Sequence, residues 1–143
     1  MAHILVLEDD VELAFALTDL LAGQGHEVSW ARGAAEAFGV LRQHSIDLVL
    51  SDIYIYQNDE IVTDGGISLI GAMRSPILAD GSTLRSIPII AMSGAVKYQG
   101  QKAILNVARS LGAHEVLAKP FSDEQLLAVV EKLLSSDFDA ERG

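Results

Sequence analysis

Short, nearly continuous apolar runs alternate along this chain with stretches in which apolar residues return every three or four positions. The first run, HILVLE at 3–8, precedes DDVELAFALTDLLAGQG, where Val11, Ala14, Leu17 and Leu21 fall at helical spacing. Gly23 and Gly25 predict the end of that helix. HEVSWA at 26–31 is strand-like, and GAAEAFGVLRQH at 33–44 puts Ala34, Ala37, Phe38 and Leu41 on one helical face. DLVLS at 47–51 predicts a third strand ending at Ser51. GISLIGAMR at 66–74 predicts a short helix that must stop before Pro76, because the residue before a proline avoids the α region. IPIIAM at 87–92 is a fourth apolar strand. AILNVARSLG at 103–112 spaces Ile104, Val107, Ala108 and Leu111 as a helix closed by Gly112. HEVLA at 114–118 is the fifth strand, and SDEQLLAVVEKLL at 122–134 opens with Ser122 and Gln125 at capping-box spacing.

Strand followed by helix, five times over, predicts an α/β domain. Three of the five strands carry no polar face, as strands do when helices cover both sides of a sheet. The expected architecture is therefore a doubly wound parallel sheet over residues 1–135, with 136–143 as an acidic tail that frays.

Composition narrows the function classes. Half of the 143 residues are hydrophobic and the mean hydropathy is +0.30, yet no apolar run approaches the ~20 residues that a membrane span needs. The excess is expected to lie inside the fold, with no membrane partner. The opening MAHILVLEDD turns acidic at once, unlike a secretory leader, so a cytoplasmic location is expected. With no cysteine, disulfides, thiolate chemistry and Cys-ligated zinc are excluded. The net charge of −10 repels phosphate backbones and anionic lipid, so no nucleic-acid partner is expected.

In an open α/β sheet, ligands bind beyond the carboxyl ends of the strands. The predicted strands end in Glu8-Asp9-Asp10, WARG, Ser51-Asp52, Ser93-Gly94 and Lys119-Pro120. Carboxylates gathered at one rim repel one another and call for a counter-charge, and a hard divalent cation supplies it. Magnesium suits this set, since it takes few carboxylates and shares its shell with phosphoryl oxygens; manganese is able to take its place. Ser93 and Lys119 would then bind those oxygens, an arrangement suited to phosphoryl transfer onto a carboxylate. Taken singly, each feature has a plainer reading. Asp9, Asp10 and Glu12 suit a helix start, Ser-Gly a turn and Lys-Pro a loop end. Their joint placement at four strand ends is what points to a site.

In the order ILVLEDD, DLVLSD, PIIAMSGA and GAHEVLAKPF, these motifs resemble the receiver domain of bacterial two-component response regulators, over residues 3 to 134. The resemblance implies a flavodoxin-like (βα)5 fold with five parallel strands in the order 2-1-3-4-5. It implies that Asp52 is the phosphoacceptor, that Asp9 ligates the metal directly, and that Glu8 acts largely through metal-bound water. The main-chain carbonyl of Tyr54 would complete the shell, and Asp10 is better read as a cap. Ser93 would hydrogen-bond the phosphoryl group, Gly94 would leave room for it, and Lys119 would pair with one of its oxygens next to a cis Pro120. The implied partners are a sensor histidine kinase or histidine phosphotransfer protein as donor. A downstream protein would dock on the face of the fourth helix, fifth strand and fifth helix. The implied role is a stand-alone, phosphorylation-controlled interaction module or relay, and not an enzyme that turns over free substrates. Competing readings are a magnesium-dependent phosphohydrolase with an aspartyl-phosphate intermediate, a scaffold, and a fragment of a larger regulator or hybrid kinase. Hydrolases of the haloacid dehalogenase type place Asp-x-Asp at the first strand, a spacing that LEDD lacks.

Two departures from the family pattern stand out. The position three before the lysine, usually aromatic, is Val116. Either coupling runs through Ser93 alone, or Tyr98 or Phe121 reports the state, or Val116 simply packs. Asp52 also stands fourteen positions before the helix-opening Gly66, with no proline between, which makes 53–65 longer than in usual receivers. Its start is expected to be a metal-binding loop and its remainder an insertion, with Tyr54, Tyr56, Asp59 and Glu60 as a recognition or shielding element over the site. A second, smaller extension is expected at 75–86.

Overall fold

The structure, a computed structural model, describes residues 2–53, 55–57, 60–62, 66–75, 86–93, 109–110 and 112–135. In chain order its elements are β1 (His3–Leu7), α1 (Val11–Gly23), β2 (Glu27–Ala31), α2 (Ala34–Gln43) and β3 (Leu48–Asp52). There follow β4 (Ile55–Gln57), β5 (Glu60–Val62), α3 (Gly66–Arg74), β6 (Ile89–Ser93), β7 (Glu115–Ala118) and α4 (Asp123–Leu134). The extension at 75–86, the helix expected over 103–112 and the tail at 136–143 lie largely or wholly outside the described residues, although 109–110 are helical.

Five strands form one parallel sheet in the order β2-β1-β3-β6-β7, the doubly wound 2-1-3-4-5 arrangement. Residues alternate across the sheet and so divide the core in two. Leu5, Leu7, Val49, Ile89 and Ala91 meet Ala37 and Leu41 of α2 and Leu69, Ile70 and Met73 of α3. Ile4, Val6, Leu48, Leu50, Ile90 and Met92 meet Leu17 and Leu21 of α1 and Leu126, Val130 and Leu133 of α4. Nearly all of these are fully buried, each leucine or isoleucine stabilising the fold by about 1.5–3 kcal/mol relative to exposure.

Helix ends follow their local chemistry. The Asp10 side chain accepts from the N–H groups of Glu12 and Leu13 and so caps α1. Ser122 and Gln125 close a reciprocal capping box at α4. Gly25, at φ +92°, turns the chain from α1 toward β2 through a conformation that disfavours a Cβ.

Three expectations need correction. The third strand does not stop at Ser51 but runs through Asp52, which lies opposite Met92 in the register. Val11 does not join the buried stripe of α1; it is exposed, because it opens the first turn beyond the reach of the sheet. The stretch after the acceptor is more than a loop: β4 and β5 pair antiparallel, Ile55 with Val62, Tyr56 with Ile61 and Gln57 with Glu60. Ile55 and Tyr56 are strand residues, in a second sheet separate from the first.

Candidate functional site

The ends of β1, β3, β6 and β7 meet at one rim because parallel strands all deliver their carboxyl ends to the same edge. Glu8, Asp9 and Asp52 each place a carboxylate oxygen there, all within 4.8 Å of one another. Glu8 and Asp52 are buried, at 1% and 7% exposure. Lys119 enters from the end of β7. Its Nζ stands 2.8 Å from Glu8 Oε2 and 3.5 Å from Asp52 Oδ1. The Lys119–Pro120 peptide is cis. Ser93 ends β6 with its Cα opposite Ala118, and Met92 is opposite Asp52, so Ser93 shares the rim.

Electrostatics at this rim are unbalanced. Burial pushes the Asp52 carboxyl up to about 7, with the Glu8 carboxylate adding to the rise, Lys119 opposing it and Asp9 adding further. Glu8 is raised as well, by burial first, against the lowering effect of Lys119. Burial works to lower Lys119, but Asp52 and Glu8 outweigh it and hold the ammonium above its ordinary value. One lysine therefore leaves three clustered carboxylates undercompensated. The oxygen-only donor set and its excess negative charge fit a hard divalent cation, through Asp9, Asp52 and Glu8.

The acids differ in their surroundings. Both Glu8 oxygens are engaged by the protein, Oε1 accepting from the Asp10 N–H at 3.1 Å and Oε2 from Lys119. The Asp10 side chain is taken up as the helix cap. Tyr54, Gly94, Tyr98 and Asp59 lie outside the described residues, as do the side chains of Ser93, Tyr56 and Glu60. Val116 is half-buried and packs on the α2–α3 side of the core. That is the plainest of its three readings.

Two features were not anticipated. A groove of about 440 Å³, lined by Asp10, Leu13, Lys119, Pro120 and Phe121, runs from the site between α1 and the start of α4. The strand ending WARG, which carries no acid, nonetheless reaches the site. The indole of Trp30 donates to the main-chain carbonyl of Glu8 at 2.8 Å. The sequence signal was a single tryptophan one residue before a strand end, but nothing local shows which way its N–H points.

Comparison with known proteins agrees with this geometry. The sequence pattern of the response regulator receiver domain matches residues 4–131. The virulence transcriptional regulatory protein PhoP of Salmonella typhimurium is 29% identical over 134 residues, covering 94% of this chain and 52% of that protein. The regulatory protein VirG of Agrobacterium fabrum is 26% identical, covering 94% of this chain and 46% of its own length. The chain thus spans about half the length of these curated relatives. The solved receiver domain of NtrX from Brucella abortus superposes with a TM-score of 0.76 at 25% identity, covering 93% of this chain and 98% of that one. A CheY-like receiver domain protein from Methanospirillum hungatei shares the fold, with a TM-score of 0.77 at 21% identity over 100% of this chain and 99% of that one.

Proposed function

Because this chain belongs to the response regulator receiver domain family of two-component systems, we propose that it takes a phosphoryl group from a phosphohistidine of a donor protein onto Asp52. The observation that carries this is the buried Asp52 carboxylate at the end of β3, with Glu8 and Asp9 at its side and the Lys119 ammonium 3.5 Å away. An Asp52 oxygen attacks phosphorus in line, a P–O bond forms, and the P–N bond to the donor imidazole breaks with its electron pair leaving on the ring. Asp9, Glu8 and Asp52, with the Tyr54 carbonyl, are the residues to hold magnesium, or manganese in its place. Bound there, the metal supplies positive charge to the phosphoryl oxygens and favours the ionised acceptor. Lys119 spreads the charge developing on the same oxygens, and Ser93 and Gly94 receive the phosphoryl group at the end of β6.

The donor is a sensor histidine kinase or histidine phosphotransfer protein, and the groove beside Lys119 offers apolar Leu13, Pro120 and Phe121 to its helix. Output follows from a shift between two conformations of the face formed by the 103–112 segment, β7 and α4. The receiver, residues 1–135, acts through protein contacts, the whole chain's net charge of −10 setting it against phosphate backbones. No helix among the described residues is long and apolar enough to cross a membrane. The β4–β5 hairpin, which carries Tyr56 and Glu60 in a stretch that also holds Tyr54 and Asp59, is the element that individualises recognition at this rim.

Incubation with acetyl phosphate and magnesium, followed by intact-mass measurement, tests the reading. One phosphate adduct, labile to hydroxylamine and absent from Asp52→Asn, is expected. An adduct that persists in the variant overturns the assignment, and rapid turnover of unrelated phosphate esters points to a hydrolase instead.

A further inference from the structure

We propose that Trp30 is a positioning residue of the phosphorylation site, holding the peptide that joins Glu8 to Asp9 at the angle which aims both carboxylates at the rim. The proposal rests on the receiver reading of that site. Trp30 lies on the edge strand β2, its Cα opposite Val6 of β1. The ladder between the two strands continues one step past β1, with the Glu8 N–H donating to the Ala31 carbonyl at 3.1 Å. There β2 ends. The Glu8 carbonyl has outrun the ladder, and the indole N–H fills the donor position at 2.8 Å.

That carbonyl belongs to the planar unit linking Glu8 to Asp9. A change in ψ of Glu8 that φ of Asp9 does not offset turns the two side chains relative to each other. With the plane held, Glu8 keeps Oε1 on the Asp10 N–H and Oε2 on Lys119, and Asp9 stays within 4.8 Å of both other acids. The indole is itself held in place. Phe15, 60% exposed on α1, lies against it with ring centroids 5.9 Å apart, and the Arg32 guanidinium sits 5.8 Å from its centroid. An exposed phenylalanine on α1 thereby gains a reason: it covers the outer side of a ring that supports the metal acids.

The test replaces Trp30 with benzothienylalanine, which keeps the bicyclic shape and puts sulfur where the N–H was. Trp30→Phe serves as a second variant. Calorimetry on the folded proteins is expected to show the Mg2+ dissociation constant rising about tenfold, the lower end of what outer-shell partners contribute. Adduct formation from acetyl phosphate is expected to slow in parallel, and 5-fluorotryptophan at position 30, which retains the N–H, to restore both. A purely structural role lowers the denaturation midpoint but leaves the Mg2+ dissociation constant of the folded protein unchanged, and that result overturns the proposal. Failure of wild type to bind Mg2+ or to form an Asp52 adduct instead overturns the receiver reading, and this role with it.

Discussion

The ammonium of Lys119 lies closer to Glu8 than to Asp52, at 2.8 Å against 3.5 Å, so the lysine is held first by an acid that is 1% exposed. Removing it leaves Glu8 without its cation, in a place that water reaches poorly. Lys119→Met is expected to destabilise the fold by about 1–3 kcal/mol in urea denaturation at neutral pH, the cost of an unsatisfied buried group. Equal stability of the two proteins would show that the pair contributes nothing net.

Asp52 makes the stability depend on pH. Its ordinary value is 3.8, and burial with neighbouring acids raises it to about 7 in the fold. Between those values the unfolded chain has released this proton and the folded chain has kept it, so stability falls as pH rises through the window. The favourable contribution is complete below the lower value and gone above the upper one. The raised Glu8 acts in the same direction, whereas the raised Lys119 matters only at alkaline pH. In the absence of divalent cations, Asp52→Asn is therefore expected to be more stable than wild type at pH 7.5, by about 1–4 kcal/mol, and to lose that advantage near pH 4. Denaturation of both proteins across this range checks it.

Divalent cations should reverse the penalty. Magnesium at a hundred times its dissociation constant is expected to stabilise wild type by about 2.7 kcal/mol, an effect removed by chelator and by Asp9→Ala. A calorimetric melting scan measures it. The fluorescence of Trp30, the chain's one tryptophan, gives a second readout because its indole is bonded to Glu8.

Gly112 tests the packing at the opposite end of the sheet. At φ +121° it already disfavours a side chain, and a Cβ built there would stand 2.8 Å from Arg74 Cγ. Arg74 reaches across this space to donate to the carbonyls of Ile87 and Gly112. Gly112→Ala is expected to lose about 1–3 kcal/mol by thermal or urea unfolding, while acetyl phosphate labelling of the folded protein persists.

The hairpin offers the test of individuality. Replacing residues 55–62 with a short polar turn is expected to leave labelling by acetyl phosphate intact and to change either transfer from the cognate donor or the lifetime of the adduct. If neither changes, the hairpin is a tolerated insertion, cheap for the fold and without a role here.

Much of this molecule is legible in its sequence. Helix spacing in 34–41 and 126–133 and the capping box at Ser122 and Gln125 are local signals, and the core and caps follow them. So do the acids at strand ends, because a parallel sheet sends all those ends to one edge. The alternating IYIYQNDEIV was harder to read. Period-two alternation marks a strand, but whether such a strand joins the main sheet, pairs with its neighbour or stays a loop depends on partners that alternation does not name. Glu8 meets Lys119 across 111 positions of chain and Trp30 across 22. Residue types and strand order fixed which groups come to the rim. Only the packed structure decided that the lysine rests on Glu8, that an indole stands in for the ended ladder, and that Val116 packs where an aromatic is usual. Each of these is a choice among short-range contacts within a few ångströms, settled by side-chain geometry and burial and not by periodicity.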